Sequence, residues 1–179
     1  MLLNLKKNEP DFAWIGGTKV STAVILKDAK KLGLKTKFFG NIWSADESMP
    51  KLAGGAEEGY MVVLGAALYG EPGPGMKVIE KATNNQPMVS HWVRGWVSMM
   101  TMCEVLKIAD KNKDLTGPGI KKVAETLKNF DTLGLTAPIT YTPTDHRPNM
   151  TVNLGTFKGG KMGKIATIEL PRKAEWIGF

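Results

Sequence analysis

The sequence has 179 residues and a mass of 19.5 kDa, of which 42% are hydrophobic and 23% charged. That balance gives a domain with a buried core and excludes a disordered tail. The 24 Lys and Arg outnumber the 17 Asp and Glu, for a net charge of +7. Only Arg94, Arg147 and Arg172 are arginines, and the lysines are scattered. Dispersed lysine marks a solvated surface and argues against nucleic acid as a partner. The longest apolar run, residues 60–70, falls short of the roughly 18–20 residues that span a bilayer. A single cysteine, Cys103, leaves no internal disulfide and no thiolate zinc cage. The opening Met1-Leu2-Leu3-Asn4-Leu5, before Lys6-Lys7, has neither the apolar stretch nor the small-residue cleavage site of a signal peptide. The expectation is a cytoplasmic protein or a sequence whose beginning lies elsewhere.

Residues 11–15 (Asp-Phe-Ala-Trp-Ile) read as a short strand ended by Gly16-Gly17. Val20, Val24, Ile25, Ala29 and Leu32 then gather on one side of a helix that Thr18 or Ser21 caps and Gly33 ends. A second strand starts at Lys37-Phe38-Phe39-Gly40, and a third covers residues 59–65. Strand, helix, strand in this order predicts a parallel pair with a right-handed crossover, so the fold class is α/β.

Residues 70–75 (Gly-Glu-Pro-Gly-Pro-Gly) can continue neither kind of element and mark a lobe boundary. A short helix is predicted over 76–82 and a long one over 89–109. One face of the long helix carries Trp92, Trp96, Met99, Met100, Cys103 and Leu106, with Cys103 expected in the core. Val93, Val97, Val105 and Ile108 lie on its other sides, so partners are expected on more than one side. Thr116-Gly117-Pro118 caps a further helix with the stripe Ile120, Val123, Ala124 and Leu127. Met150, Val152 and Leu154 alternate up to Gly159-Gly160, and residues 165–168 return as the second strand of a hairpin.

No catalytic constellation survives its spacing. His91 and Cys103 sit twelve residues apart on one helix, roughly 18 Å along its axis and on different faces. Two histidines with no acidic residue at a repeating helical interval make no zinc site, and no cofactor or metal is expected. The neighbouring carboxylates Asp46-Glu47 and Glu57-Glu58 point in different directions and read as solvated loops or first turns of helices. Gly16-Gly17-Thr18-Lys19, between a strand and a helix, is either a tight turn or a place for an anionic group at the helix amino end. It lacks the spacing of a phosphate loop, and its position at the carboxyl end of a parallel strand favours binding over catalysis.

These segments resemble, in order, the type I periplasmic binding proteins, specifically the branched-chain amino acid solute-binding proteins of ABC transporters. The similar stretches are residues 8–17 (NEPDFAWIGG), 25–34 (ILKDAKKLGL), 52–59 (LAGGAEEG) and 129–146 (NFDTLGLTAPITYTPTDH). The resemblance implies two α/β lobes closing on a ligand, of which this chain covers the carboxyl-terminal half, so that the fold here is incomplete. Residues 1–68 would belong to the second ligand-binding lobe, 69–138 to helices of the first, and 139–179 would return to the second with the hairpin.

By the same resemblance, two ligand-contact positions fall in this half. One follows the Gly-Gly turn, at Gly17 and Thr18, where relatives can carry an aromatic residue. The other follows the second strand, near Ile42 and Trp43, where relatives can carry an acid for the ligand's ammonium. With Ile42 there, Asp46 or Glu47 substitutes or the ligand lacks an amine, and Trp43 either stacks on a ring or anchors the loop. The implied function is non-catalytic binding of amino acids or related small carboxylates. The implied partner is the membrane permease of an ABC importer, and the implied place is periplasmic or extracytoplasmic. A homodimer through the exposed first-lobe helices is a further expectation, and a cytosolic small-molecule sensor on the same fold is the alternative reading.

Overall fold

A computed structural model describes residues 2–177. The chain divides into two units, one running up to Gly65 and taking in Asn153–Ile168, the other covering Ala66–Val152 and the residues from Glu169 onward.

The first unit carries the sheet. Helix α1 (Leu2–Asn8) leads into β1 (Phe12–Ile15), α2 (Lys19–Lys31), β2 (Lys37–Gly40), α3 (Met49–Ala53) and β3 (Met61–Leu64). The hairpin β4 (Thr151–Lys158) and β5 (Lys161–Glu169) completes a five-stranded sheet in the order β1-β2-β3-β4-β5. β1, β2 and β3 run parallel, with Ile15 opposite Gly40 and Gly40 opposite Val62, and β4 lies antiparallel to β3. The predicted strands and the crossover are therefore present. Gly33 ends α2 as a Schellman cap: it takes a positive φ of 67°, its N–H reaches Lys30 O, and the Leu34 N–H reaches Ala29 O.

The buried side of α2 differs from the expected one. Thr22, Ala23, Leu26 and Ala29 are buried, whereas Val20 and Val24 are exposed. Small side chains let a helix approach a sheet closely, and here that outweighs the larger valines one step round the helix. On the sheet, Ile15, Phe38, Val62, Leu64 and Phe157 are buried.

The second unit is built on α4 (Pro74–Ala82), α5 (Ser90–Lys111) and α6 (Gly117–Ala124). Its core joins Met76, Ile79, Val93, Val97, Leu127, Leu135 and Ile139, and a smaller cluster joins Val105, Ala109 and Val123. The Thr116 hydroxyl accepts the Gly119 N–H at 3.2 Å and caps α6 as expected. Near the end of the chain, Asp145 binds both Arg147 and Arg172, and Arg147 also donates to Lys173 O. The Arg147 bonds, side chain first, hold the Asp145 carboxyl far below the ordinary carboxylate range.

On α5 the packed line is Ser90, Val93, Val97, Thr101, Val105 and Ala109. Cys103, placed in the core by its apolar neighbours, is exposed, as are Trp92, Met99, Met102 and Leu106. A helix apolar on several sides settles on the line of small and β-branched residues that interlocks at intervals of three and four. Val93→Ala is therefore expected to lower unfolding free energy by roughly 1–2 kcal/mol in denaturant titrations, and Met99→Ala by less than about 0.5 kcal/mol.

Candidate functional site

Because β1 and β2 are parallel and Ile15 stands opposite Gly40, the segments that follow them leave from one rim of the sheet. The first is the turn Gly16-Gly17-Thr18. Its tightness is visible at Gly17, where a Cβ would meet Ser21 Oγ at 2.6 Å. Thr18 is the N-cap of α2 with extended backbone, and the first intrahelical bond runs from the Thr22 N–H to Thr18 O. The amides before Thr22 therefore stand outside the helix's own ladder.

The second segment, residues 41–46, is held from within. The Asn41 N–H reaches Ile15 O, and the Asn41 side chain accepts the Trp43 N–H at 2.9 Å. The Ser44 hydroxyl donates to Asn41 O at 2.6 Å and accepts the Tyr60 hydroxyl at 2.7 Å. Burial raises the Tyr60 pKa above its ordinary value against the opposing influence of Ser44 and Thr22, so the phenol stays a neutral donor. The Thr22 side chain is fully buried near it. A Cβ on Gly40 would fall 1.8 Å from Tyr60 Oη and 2.4 Å from Ser44 Oγ, which is why β2 ends in glycine.

One ion pair ties the two segments together. Lys19 Nζ lies 2.6 Å from Asp46 Oδ2 and 3.0 Å from Ser48 Oγ. Asp46 Oδ1 accepts both the N–H and the hydroxyl of Ser48. The Asp46 side chain is 0% exposed and that of Lys19 35%. Burial alone raises the carboxyl, but the bonds from Lys19 and Ser48 outweigh it and hold the Asp46 pKa below its ordinary value.

Gly17, Thr18, Ile42, Trp43 and Asp46 thus share a rim, with Thr18 and Trp43 exposed and Ile42 and Gly17 half-buried. Asp46 belongs to the frame of that rim, since both its oxygens are engaged. The expectation of solvated carboxylates is corrected here for Asp46 and also for Glu57, which is buried and accepts the Gly55 N–H at 2.9 Å. Sequence reasoning missed Lys19, Ser44, Ser48 and Tyr60 as the frame. The available signal was Lys19 itself: a cation at the first position of a helix opposes the dipole and calls for an anion. Among the described residues, no group of three or more His, Cys, Asp or Glu is placed to hold a metal ion. No described helix is long and apolar enough to cross a membrane.

Lys19→Met leaves a buried carboxylate without its cation and is expected to lower stability by roughly 2–3 kcal/mol, measured by denaturant unfolding at neutral pH. Asp46 has a depressed pKa in the folded chain, so its contribution is complete above the ordinary carboxylate pKa of about 3.9 and is lost as pH falls through the folded value. The stability gap between the parent chain and Asp46→Asn is therefore expected to narrow as pH drops below about 4.

Comparison with known proteins bears on the family and the fold. The family model described as periplasmic binding protein matches residues 1–161. The leucine-specific-binding protein of Salmonella typhimurium is 29% identical over 136 residues, covering 72% of this chain and 37% of that protein. The Leu/Ile/Val-binding protein of Escherichia coli is 37% identical over 62 residues, covering 35% of this chain and 17% of that protein. In fold, the chain is similar to a branched-chain amino acid ABC transporter protein from Thermus thermophilus with bound valine, at a TM-score of 0.80 and 19% identity. That match covers 94% of this chain and 48% of the other. A fatty acid ABC transporter substrate-binding protein from Thermomonospora curvata matches at a TM-score of 0.81 and 21% identity, over 94% and 46%. The chain spans about half the length of these solved structures and a smaller share of the curated relatives. With the family model covering nearly its whole length and the sheet matching the fold, the chain belongs to the periplasmic binding protein family, in its type I form.

Proposed function

We propose that this chain is the carboxyl-terminal, ligand-binding half of the solute-binding component of an ABC importer, acting without catalysis. The observation that carries the reading is the shared rim, where two loops at the carboxyl ends of adjacent parallel strands are joined by the Lys19 and Asp46 ion pair. Open α/β sheets take their ligands at that end. The amino end of α2 offers backbone N–H groups and the positive end of the helix dipole to a carboxylate, with Thr18 beside it. Ile42 and the exposed ring of Trp43 offer apolar surface to the rest of the molecule.

The relatives named for leucine, for branched-chain amino acids and for fatty acids share a carboxylate on an apolar body. Asp46 is not offered to an ammonium, because Lys19 and Ser48 engage both of its oxygens. The proposed ligand is a small carboxylate with an aliphatic or aromatic body, and on this proposal, in which Glu47 takes no part, an amine is not a recognition element. In the whole protein the site would face the periplasm or extracellular side and deliver to the membrane permease. Residues 1–68 are assigned to the second ligand-binding lobe, 69–138 to helices of the first and 139–179 to the return. Self-association over the exposed α5 residues is a separate proposal, checked by light scattering.

Titration calorimetry with leucine, phenylalanine and their deaminated analogues, 4-methylpentanoate and 3-phenylpropanoate, tests the reading. Half a cleft leaves one side of the ligand in water, so dissociation constants weaker than about 0.1 mM are expected, with deaminated and amino forms within about threefold. No heat from any of the four up to solubility overturns the binding reading, and sub-micromolar affinity overturns the half-cleft.

A further inference from the structure

Sulfur is unevenly placed on the surface of this chain. Among the described methionines, Met49 and Met76 are buried and all but two of the others are half-buried. The two exposed ones are Met99, at 61%, and Met102, at 44%, and the single cysteine, Cys103, is exposed beside them. The exposed sulfur of the described residues therefore falls within residues 99–103, on α5.

The helix brings these atoms together. Met99, Met102 and Cys103 stand at i, i+3 and i+4, within an arc of about 100° around the axis, with Met99 between the other two. Side chains at those intervals leave the helix with Cβ atoms about 5–6 Å apart. A thioether carried on three rotatable bonds closes such a gap, so the three sulfurs can meet at one point above the helix surface. The packed line Val97, Thr101 and Val105 runs down the opposite side and holds the helix that presents them.

The donor set selects by softness. Zinc takes thiolate, imidazole and carboxylate, calcium and magnesium take oxygen, and thioethers serve none of them. Two thioethers and one thiolate suit a soft monovalent cation. Harder donors are lacking nearby: Glu104 lies 3.9 Å from Lys107, and no group of three or more His, Cys, Asp or Glu among the described residues is placed to hold a metal ion. Trp96 and Leu106, three residues before and after the set, give it an apolar border.

We propose that Met99, Met102 and Cys103 form a binding site for a soft monovalent cation of the Cu(I) type. The Cys103 thiol releases its proton to solvent as its sulfur binds the ion, the two thioethers donate lone pairs, and no electron is transferred. Thiolate and cation then cancel in charge. The site belongs to the second unit and makes no use of the ligand rim.

Silver(I) is the probe, because it shares the preference for sulfur without the redox chemistry of copper. Silver nitrate is titrated into the reduced chain in chloride-free buffer, with affinity read by calorimetry and the methionine methyl groups by heteronuclear NMR. One Ag(I) per chain is expected, with the Met99 and Met102 methyl resonances moving and those of Met49 and Met76 unmoved. Replacing both thioethers by apolar side chains of similar volume, Met99→Leu with Met102→Leu, is expected to weaken binding at least about 10-fold, at a melting temperature within about 2 °C of the parent. Cys103→Ser is expected to weaken it at least about 100-fold. The proposal is overturned if the double substitution leaves the affinity unchanged, since a thiol alone then binds the ion, or if the two methyl resonances do not move. Displacement of Ag(I) by an equal concentration of Zn(II), or two chains per Ag(I) in light scattering, also overturns it.

Discussion

The ion pair between Lys19 and Asp46 is the constraint on which the rim depends. Taken singly, each partner is badly placed: Lys19 begins a helix, where the dipole disfavours a cation, and Asp46 is sealed from water, where a carboxylate is costly. Together they resolve both conflicts and join the start of α2 to the loop after β2. Ser48 completes the set by donating twice to Asp46 immediately before α3, whose first residue, Met49, is fully buried. The loop between β2 and α3 is thereby pinned at Asp46, and through Ser44 and Asn41 at its beginning.

Such a frame bears on recognition. A loop that is already ordered loses little conformational freedom when a ligand arrives, so more of the contact energy appears as affinity. The polar groups that order residues 41–46 are turned inward on one another, through Asn41, Ser44, Tyr60 and Asp46, and Trp43 is left at the surface. The charge of Asp46 serves the fold, and on the proposed reading contact with a solute falls to backbone N–H groups, a hydroxyl and apolar side chains.

Much of the architecture was legible in the amino-acid sequence because it rests on local chemistry. Gly16-Gly17 ends β1, Gly33 supplies the left-handed cap of α2, Thr116 and Pro118 start α6, and Gly159-Gly160 turns the hairpin. The location of the rim followed from strand order alone. What the sequence did not disclose was which side of a helix is buried when several sides are apolar. On α2, Thr22 and Ala23 won over Val20 and Val24, and on α5 the valine line won over the one that includes Cys103. Side-chain volume along the line of contact decides such cases, and only the partner surface reveals it. The frame was hidden for another reason: Lys19 and Asp46 are 27 residues apart and Ser44 and Tyr60 are 16 apart, so neither pair forms a local motif.

The most direct measurement is the map of backbone amide shifts by heteronuclear NMR as 4-methylpentanoate, and separately leucine, is titrated into the chain. If the rim is the ligand site, the shifts concentrate at residues 16–21 and 41–44, and the two compounds perturb the same amides. Shifts centred on the opposite ends of the strands, at residues 35–37 and 59–61, or spread evenly over the chain, would contradict it.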